Sequence, residues 1–362
     1  MAKNTEKLNF DKKTIDVQAH NMSKSAKAAD LYHISDKTPG FTRRQQGKIF
    51  YFFDGTKKIK NKEIIERINN LKIPPAWEKV WICKKNNGHL QATGFDLLKR
   101  KQYRYHILWD RIRKQTKFYR LKEFGQLIPV IRKQIEKDLL LAGYPQKKIL
   151  AAVVSLLERT NIRVGNEFYE KLYGSFGLTT FKNKHLVIKG AKLQFSFKGK
   201  KGVQHYISLK SKKLSNIVRG CKDIPGRDLF QFYENDGIAH SIDSGMVNHY
   251  IGGLTNGEFT AKDFRTWSGS VNTLLAFKEL GSFETDTEMN QKIHTAFAMA
   301  AKQLGNTPAV CKNYYVHPAI VELYKENKLE KYLSQLKVLE KPDRQKELMP
   351  VEKVLLNILK VI

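Results

Sequence analysis

The dominant spacing of apolar residues in this 362-residue chain shifts from strand-like to helical near residue 118, and that change constrains the fold more than any other feature. Before it, apolar residues come in short alternating runs broken by turn signals. Pro39-Gly40 and Asp54-Gly55 punctuate, the latter between KIFYFF and a lysine-rich stretch. VWI, a turn at Asn86-Asn87-Gly88 and HLQATGF read as paired strands. One helix interrupts them: Ile64, Ile65, Ile68 and Leu71 share a face, and Pro74-Pro75 stops it. Beyond residue 118 the period is helical. Ile128, Ile131, Ile135 and Leu139 fall on one stripe that Gly143 ends, and residues 147–157 form a more buried helix. Strands return briefly, where LVI (186–188), LQFSF (193–197) and VQHYISL (203–209) alternate at period two, with Lys198–Gly202 as a hairpin tip. Helices then resume. Thr260 to Asp263 resembles a capping box opening a helix that carries Arg265. Residues 286–304 form a long helix ended by Gly305, and Pro318 opens another. This order predicts an α+β fold. A small β-rich domain spans 29–117, and a larger, mainly α domain with a small sheet spans 118–362. Residues 1–28 are polar, basic and weakly periodic, and read as a disordered arm.

Charge narrows the function. Lys and Arg number 65 against 35 Asp and Glu, a net +30. Such a charge repels itself and points to a polyanionic partner, nucleic acid before an anionic membrane surface. The longest apolar run, Ile149–Leu157, is nine residues with a serine inside it, too short to span a membrane. The lysine-rich N-terminus has no apolar core of a secretory signal. Cys83, Cys221 and Cys311 are too few and too scattered for a disulfide framework or a CxxC zinc site, which fits a reducing cytoplasm. No GxxxxGK[ST], HExxH or GxSxG string occurs. Glu284, Asp286 and Glu288 read as carboxylates favouring a helix N-terminus rather than as a cation site. The expectation is phosphate chemistry done by side chains alone, with no metal and no nucleotide cofactor.

Four positions stand out by context. Arg163, in ERTNIRVGNE, sits among small and apolar neighbours, unlike a solvated arginine; the alternative is an ion pair with Glu158 or Glu167. Lys200, at the hairpin tip, can reach a bound substrate and protonate a leaving oxygen, or is a solvated turn lysine. Arg265, in KDFRTWSGS near a helix start, suits a phosphate, or is a surface arginine or a stack on Trp267. Tyr315, in GNTPAVCKNYYVHP beside Lys312, is a phenol whose ionisation neighbouring cations would favour. Otherwise Tyr314 and Tyr315 are both packing aromatics.

Taken together and in order, the strings VSLLERTNIRVGNE, FKGKKGVQH, KDFRTWSGS and LGNTPAVCKNYY resemble the type IB DNA topoisomerases in their short bacterial and poxvirus-like form. PGFTRR, IPPAWEKVWI, GHLQATGFD and KRKQYRYH resemble that family's amino-terminal domain, so the likeness runs over residues 31–340. The resemblance implies an enzyme that relaxes supercoiled duplex DNA without ATP or metal, its two domains clamping the duplex. By motif, Tyr315 is the nucleophile, forming a 3′-phosphotyrosyl link and expelling a 5′-hydroxyl. Arg163 and Arg265 hold the non-bridging oxygens, and Lys200 is the general acid. Arg100, Gln102, Tyr103 and Tyr105 match the family's major-groove contacts. Eukaryotic and poxvirus members place a histidine nine residues before the nucleophile; here Asn306 stands there, able to donate a hydrogen bond but not to carry charge. The resemblance further implies a monomer acting on nucleoid DNA in the cytoplasm. Two other readings stay open. Tyrosine recombinases share the Arg, Lys, Arg, Tyr chemistry but usually carry HxxR, where this chain has Lys262 in KDFR. A non-catalytic DNA-binding protein would bury Tyr315.

Overall fold

A computed structural model describes residues 22–336 and 347–361, apart from residues 28, 48, 98, 235 and 236. These residues form two compact units, divided between Arg120 and Leu121.

The first unit is built on an antiparallel sheet of order β3-β2-β1-β4-β5-β6. Its strands are β1 (Phe41–Gln46), β2 (Ile49–Asp54), β3 (Lys57–Lys58), β4 (Glu78–Ile82), β5 (Leu90–Phe95) and β6 (Lys101–Tyr105). A short helix α1 (Met22–Lys27) precedes the sheet, and α2 (Lys62–Asn70) covers it. The side chain of Asn61 caps α2 by accepting from the Ile64 amide at 3.0 Å. Ile68 of α2 packs with Phe41, Phe52, Val80, Ile82 and Ala92 of the sheet.

Two expectations need correction here. Residues 22–27 are helical, and Ala26 is buried with Ala29, Leu31, Trp109 and Ile112. Part of the expected arm is therefore docked structure, while residues 1–21 lie outside the described residues. The next helix, α3 (Ile107–Asp138), begins well before residue 118. Among the described residues its first turns bury Trp109 and Ile112 amid basic side chains, which leaves no continuous apolar stripe to read.

The second unit wraps around α4 (Gln146–Thr160), which is buried at every position from Ile149 to Leu157. An apolar surface on all sides forces a helix to the centre of a fold. It is followed by α5 (Glu167–Tyr173) and an antiparallel sheet β7-β8-β9 (Leu186–Lys189, Lys192–Lys198, Gln204–Lys210). Then come α6 (Lys212–Asp223), the hairpin β10-β11 (Gln231–Tyr233, Ala239–Ser241) and α7 (Ser244–Leu254). After α7 lie α8 (Ala261–Leu280), α9 (Asp286–Leu304), α10 (Pro308–Tyr314), α11 (Pro318–Lys325), α12 (Glu330–Leu333) and α13 (Pro350–Val361). Leu193, Phe195 and Phe197 of β8 alternate into the core, as period two requires. No described helix is long and apolar enough to cross a membrane.

A buried ionic junction fixes α8, the helix that carries Arg265. Arg132 of α3 donates to Glu158 of α4 at 2.7 Å and bidentately to Glu352 of α13 at 2.8 and 2.9 Å. Trp267 of α8 donates its indole N–H to the same Glu352 at 3.0 Å. Four helices thus meet on one satisfied charge network, the condition under which buried ions are tolerated. A Cβ on Gly125 would overlap the Trp267 ring, so α3 approaches α8 that closely only through a glycine.

Candidate active site

Helix α4 ends at Asn161, whose left-handed backbone (φ 57°) turns the chain out of the helix. The segment after it lies against residues 177–179. The Leu178 amide donates to the Arg163 carbonyl at 3.0 Å, and a Cβ on Gly177 would lie 2.5 Å from that same oxygen. Gly165, at φ 98°, takes a backbone conformation that only glycine adopts easily. Arg163 is thereby clamped through its main chain. Its guanidinium donates to the Gly305 carbonyl at 3.2 Å and to Asn306 Oδ1 at 2.5 Å. Neither proposed carboxylate pairs with it: Glu158 belongs to Arg132, and Glu167 pairs with Lys171.

Arg265 is 5% exposed. Its guanidinium donates to the carbonyls of Asn161 and of Leu304, the latter at 2.8 Å. The sequence placed Arg265 near a helix start, where it suits a phosphate. The structure instead seats both arginines on the C-terminal ends of α4 and α9, where unpaired carbonyls present partial negative charge. No carboxylate neutralises either guanidinium among these contacts. Burial, then the charge of Arg265, push Arg163 down to about 10, and burial lowers Arg265 as well. One buried and one half-buried cation held by dipoles form a site that gains from a bound anion.

Two donors here lack partners. Arg265 Nε and Asn306 Nδ2 are buried and make no hydrogen bond. The orientation of the Asn306 amide follows from chemistry: a guanidinium only donates, so the atom facing Arg163 is the oxygen and the free one is the N–H₂.

Tyr315 closes the cluster. It ends α10, its amide donating to the Cys311 carbonyl at 2.9 Å, and Arg265 Cζ lies 5.3 Å from its ring centroid. Burial pushes the neighbouring Cys311 thiol up to about 11, so no thiolate competes at neutral pH. Tyr315 is half-buried and Tyr314 is exposed, which separates the two adjoining phenols. The Tyr315 main chain rests on Gly269 of α8, where a Cβ would overlap the Tyr315 carbonyl and lie 2.8 Å from its Cβ. Ser270 bridges the same turn, donating to the Tyr315 carbonyl at 3.4 Å and accepting from the His317 amide at 3.0 Å. Gly269→Ala therefore tests the seat of the Tyr315 phenol. Alanine favours a helix interior by about 1 kcal/mol, so thermal stability should not fall by that route. DNA cleavage should drop at least tenfold while DNA affinity holds. Unchanged cleavage would show that Tyr315 does not depend on this contact.

Lys200 lies in the turn Lys200–Gly202 between β8 and β9 and is exposed. No contact joins its amine to Arg163, Arg265, Asn306 or Tyr315. The hairpin reaches the cluster instead through His205, whose ring lies against Gly305. His205, Gly269 and Ser270 escaped the sequence reading. The one signal for His205 was a polar residue in phase with Ile207 and Leu209.

The four expected DNA-reading residues lie in the first unit. Arg100 donates to Asp96 Oδ2 through Nε and Nη2 at 2.8 and 2.6 Å, and Gln102 donates to the same oxygen at 2.9 Å. Tyr103 and Tyr105 stack at 5.9 Å, on the face of β6 opposite to Gln102 by strand alternation. The set is thus an acid-held pair and an aromatic pair rather than one row.

Comparison with known proteins agrees with this geometry. The family model of the eukaryotic DNA topoisomerase I catalytic core matches residues 108–342, which include Arg163, Lys200, Arg265, Asn306 and Tyr315. That of the bacterial DNA topoisomerase IB N-terminal domain matches residues 49–96, ending just before Arg100. DNA topoisomerase 1B of Acanthamoeba polyphaga mimivirus is 32% identical over 299 residues, covering 80% of this chain and 88% of the viral protein. DNA topoisomerase I of Monkeypox virus is 26% identical, and DNA topoisomerase 1B of Vaccinia virus (strain Copenhagen) 25%, each over 274 residues, 72% of this chain and 82% of the relative. With a catalytic-core match across most of its length and an arginine-lined tyrosine inside that match, the chain belongs to the type IB DNA topoisomerases.

Proposed function

We infer that this enzyme relaxes supercoiled duplex DNA through a transient single-strand break, with neither ATP nor metal. The observation that carries the reading is the pair of buried, unpartnered donors, Arg265 Nε and Asn306 Nδ2, in a cluster of two arginines beside Tyr315. The Tyr315 phenolic oxygen attacks a backbone phosphorus and loses its proton to solvent. The new O–P bond forms as the bond to the 5′-oxygen breaks, and Lys200 gives that oxygen a proton. In the transition state, charge builds on the equatorial oxygens, where two guanidiniums and one amide receive it. The phosphotyrosyl link conserves the energy of the phosphodiester, so the 5′-hydroxyl can return after the free strand has turned. Arg100, Gln102, Tyr103 and Tyr105 supply base contacts, and the net charge supplies a grip that weakens with salt.

A recombinase would use the same chemistry. Against it stand the family match and Lys262 at the place of the HxxR histidine. Against a purely binding protein stands the match to a catalytic core over residues 108–342.

The acid assignment has its own test. Lys200→Ala should slow cleavage of an ordinary duplex by at least 10²-fold. A 5′-phosphorothiolate at the scissile position leaves without a proton, and should restore the rate to within threefold of the parent. Absence of rescue would remove Lys200 from that role.

A further inference from the structure

We propose that His205 is a positioning residue: its ring is wedged between the lysine hairpin and the turn whose carbonyls hold both arginines, and so sets the reach of Lys200. The inference rests on the reading of Lys200 as general acid.

His205 pairs with Phe197 across β8 and β9, and their rings stack at 5.0 Å with planes 17° apart. Each long edge of the imidazole meets a glycine. A Cβ on Gly199, the residue before Lys200, would lie 2.6 Å from Cδ2 and 2.7 Å from Nε2. A Cβ on Gly305 would overlap Cε1 and lie 3.1 Å from Nδ1. The ring therefore fills the gap between two bare stretches of backbone, as only a flat side chain can. On the Gly305 side, the carbonyls of Leu304 and Gly305 hold Arg265 and Arg163. On the Gly199 side, the Gly199 amide donates to the Val203 carbonyl at 2.7 Å, closing the tip that presents Lys200. Burial, then the charges of Arg163 and Arg265, hold the imidazole below its ordinary range, so the wedge is neutral and adds no third cation. Rate enhancement by a general acid depends on its distance from the leaving oxygen, and a wedge that fixes the hairpin fixes that distance.

The test uses the full chain on a duplex with a mapped cleavage site, in oxygen and 5′-phosphorothiolate forms, with parent, Lys200→Ala, His205→Ala and the double variant. Expected for His205→Ala is a 10- to 100-fold loss of cleavage on the oxygen duplex, DNA affinity within threefold, and recovery to within threefold of the parent on the thiolate duplex. The double variant should be no slower than Lys200→Ala alone. Gly199→Ala, which disturbs the same contact from the hairpin side, should show the same thiolate-rescued defect. If the thiolate rescues Lys200→Ala but neither His205→Ala nor Gly199→Ala, His205 does not act through the lysine and the proposal is wrong. If Lys200→Ala itself is not rescued, the acid assignment falls and the proposal with it.

Discussion

A Tyr315→Phe enzyme is expected to bind duplex DNA within about twofold of the parent and to form no covalent adduct with it. The ring stays, with its place against the core and the Arg265 guanidinium 5.3 Å from its centroid. Only the oxygen that would bond to phosphorus is lost. Relaxation should fall to background, a loss of many orders of magnitude, because no second route to the phosphotyrosyl link exists in this scheme. Denaturing the protein in mid-reaction with end-labelled DNA reads this directly, as label carried on protein. Label persisting on the Tyr315→Phe enzyme would assign the chemistry elsewhere, first to the exposed Tyr314 next to it.

The second large effect concerns the arginines. Arg163→Ala and Arg265→Ala should each lower the single-turnover cleavage rate by roughly 10²- to 10³-fold or more, the typical loss when one transition-state donor is removed. The two losses should not add. Both guanidiniums and Asn306 meet on the turn at residues 304–306, and removing one changes the field at the other. Arg163→Lys should recover little, because a single ammonium cannot donate to Gly305, Asn306 and a phosphate in the fixed fork that a guanidinium offers. A loss below threefold in both alanine variants would contradict the geometry.

The same cluster has a pH signature. The folded value for Arg163 is lowered to about 10, so the protonated form is less favourable in the free fold than in the unfolded chain. That penalty is present below about pH 10 and lifts as pH rises through it. A bound phosphate removes it by supplying the missing counter-charge. DNA affinity should therefore weaken as pH rises through 10 in the parent, and this component should vanish in Arg163→Met.

Much of this was legible in the sequence, for identifiable reasons. Alternation over residues 193–209 fixed the inset sheet, because one face of β8 is buried and one face of β9 half-buried, with the other face solvated. The all-apolar run of α4 announced a central helix. Arg163, Arg265 and Tyr315 stood out by context, and the resemblance added Asn306. What stayed hidden is tertiary. Arg163 and Asn306 are 143 positions apart, and no local pattern joins them. His205 looked like a polar interruption of a strand, since its neighbour Gly305 comes a hundred residues later. The start of α3 was missed because two buried residues, Trp109 and Ile112, make no readable stripe. The partners of Arg265 were equally hidden: from near the start of α8 its side chain extends away to the carbonyl ends of two other helices.

The central claim is that side chains alone break and rejoin a DNA strand here. Incubation of the purified protein with negatively supercoiled plasmid, in EDTA and without nucleotide, tests it most directly. A ladder of topoisomers running to the fully relaxed circle is expected, with the loss of activity in Tyr315→Phe complete. A plasmid whose linking number stays unchanged under those conditions, or changes only when a divalent metal or ATP is added, would contradict it.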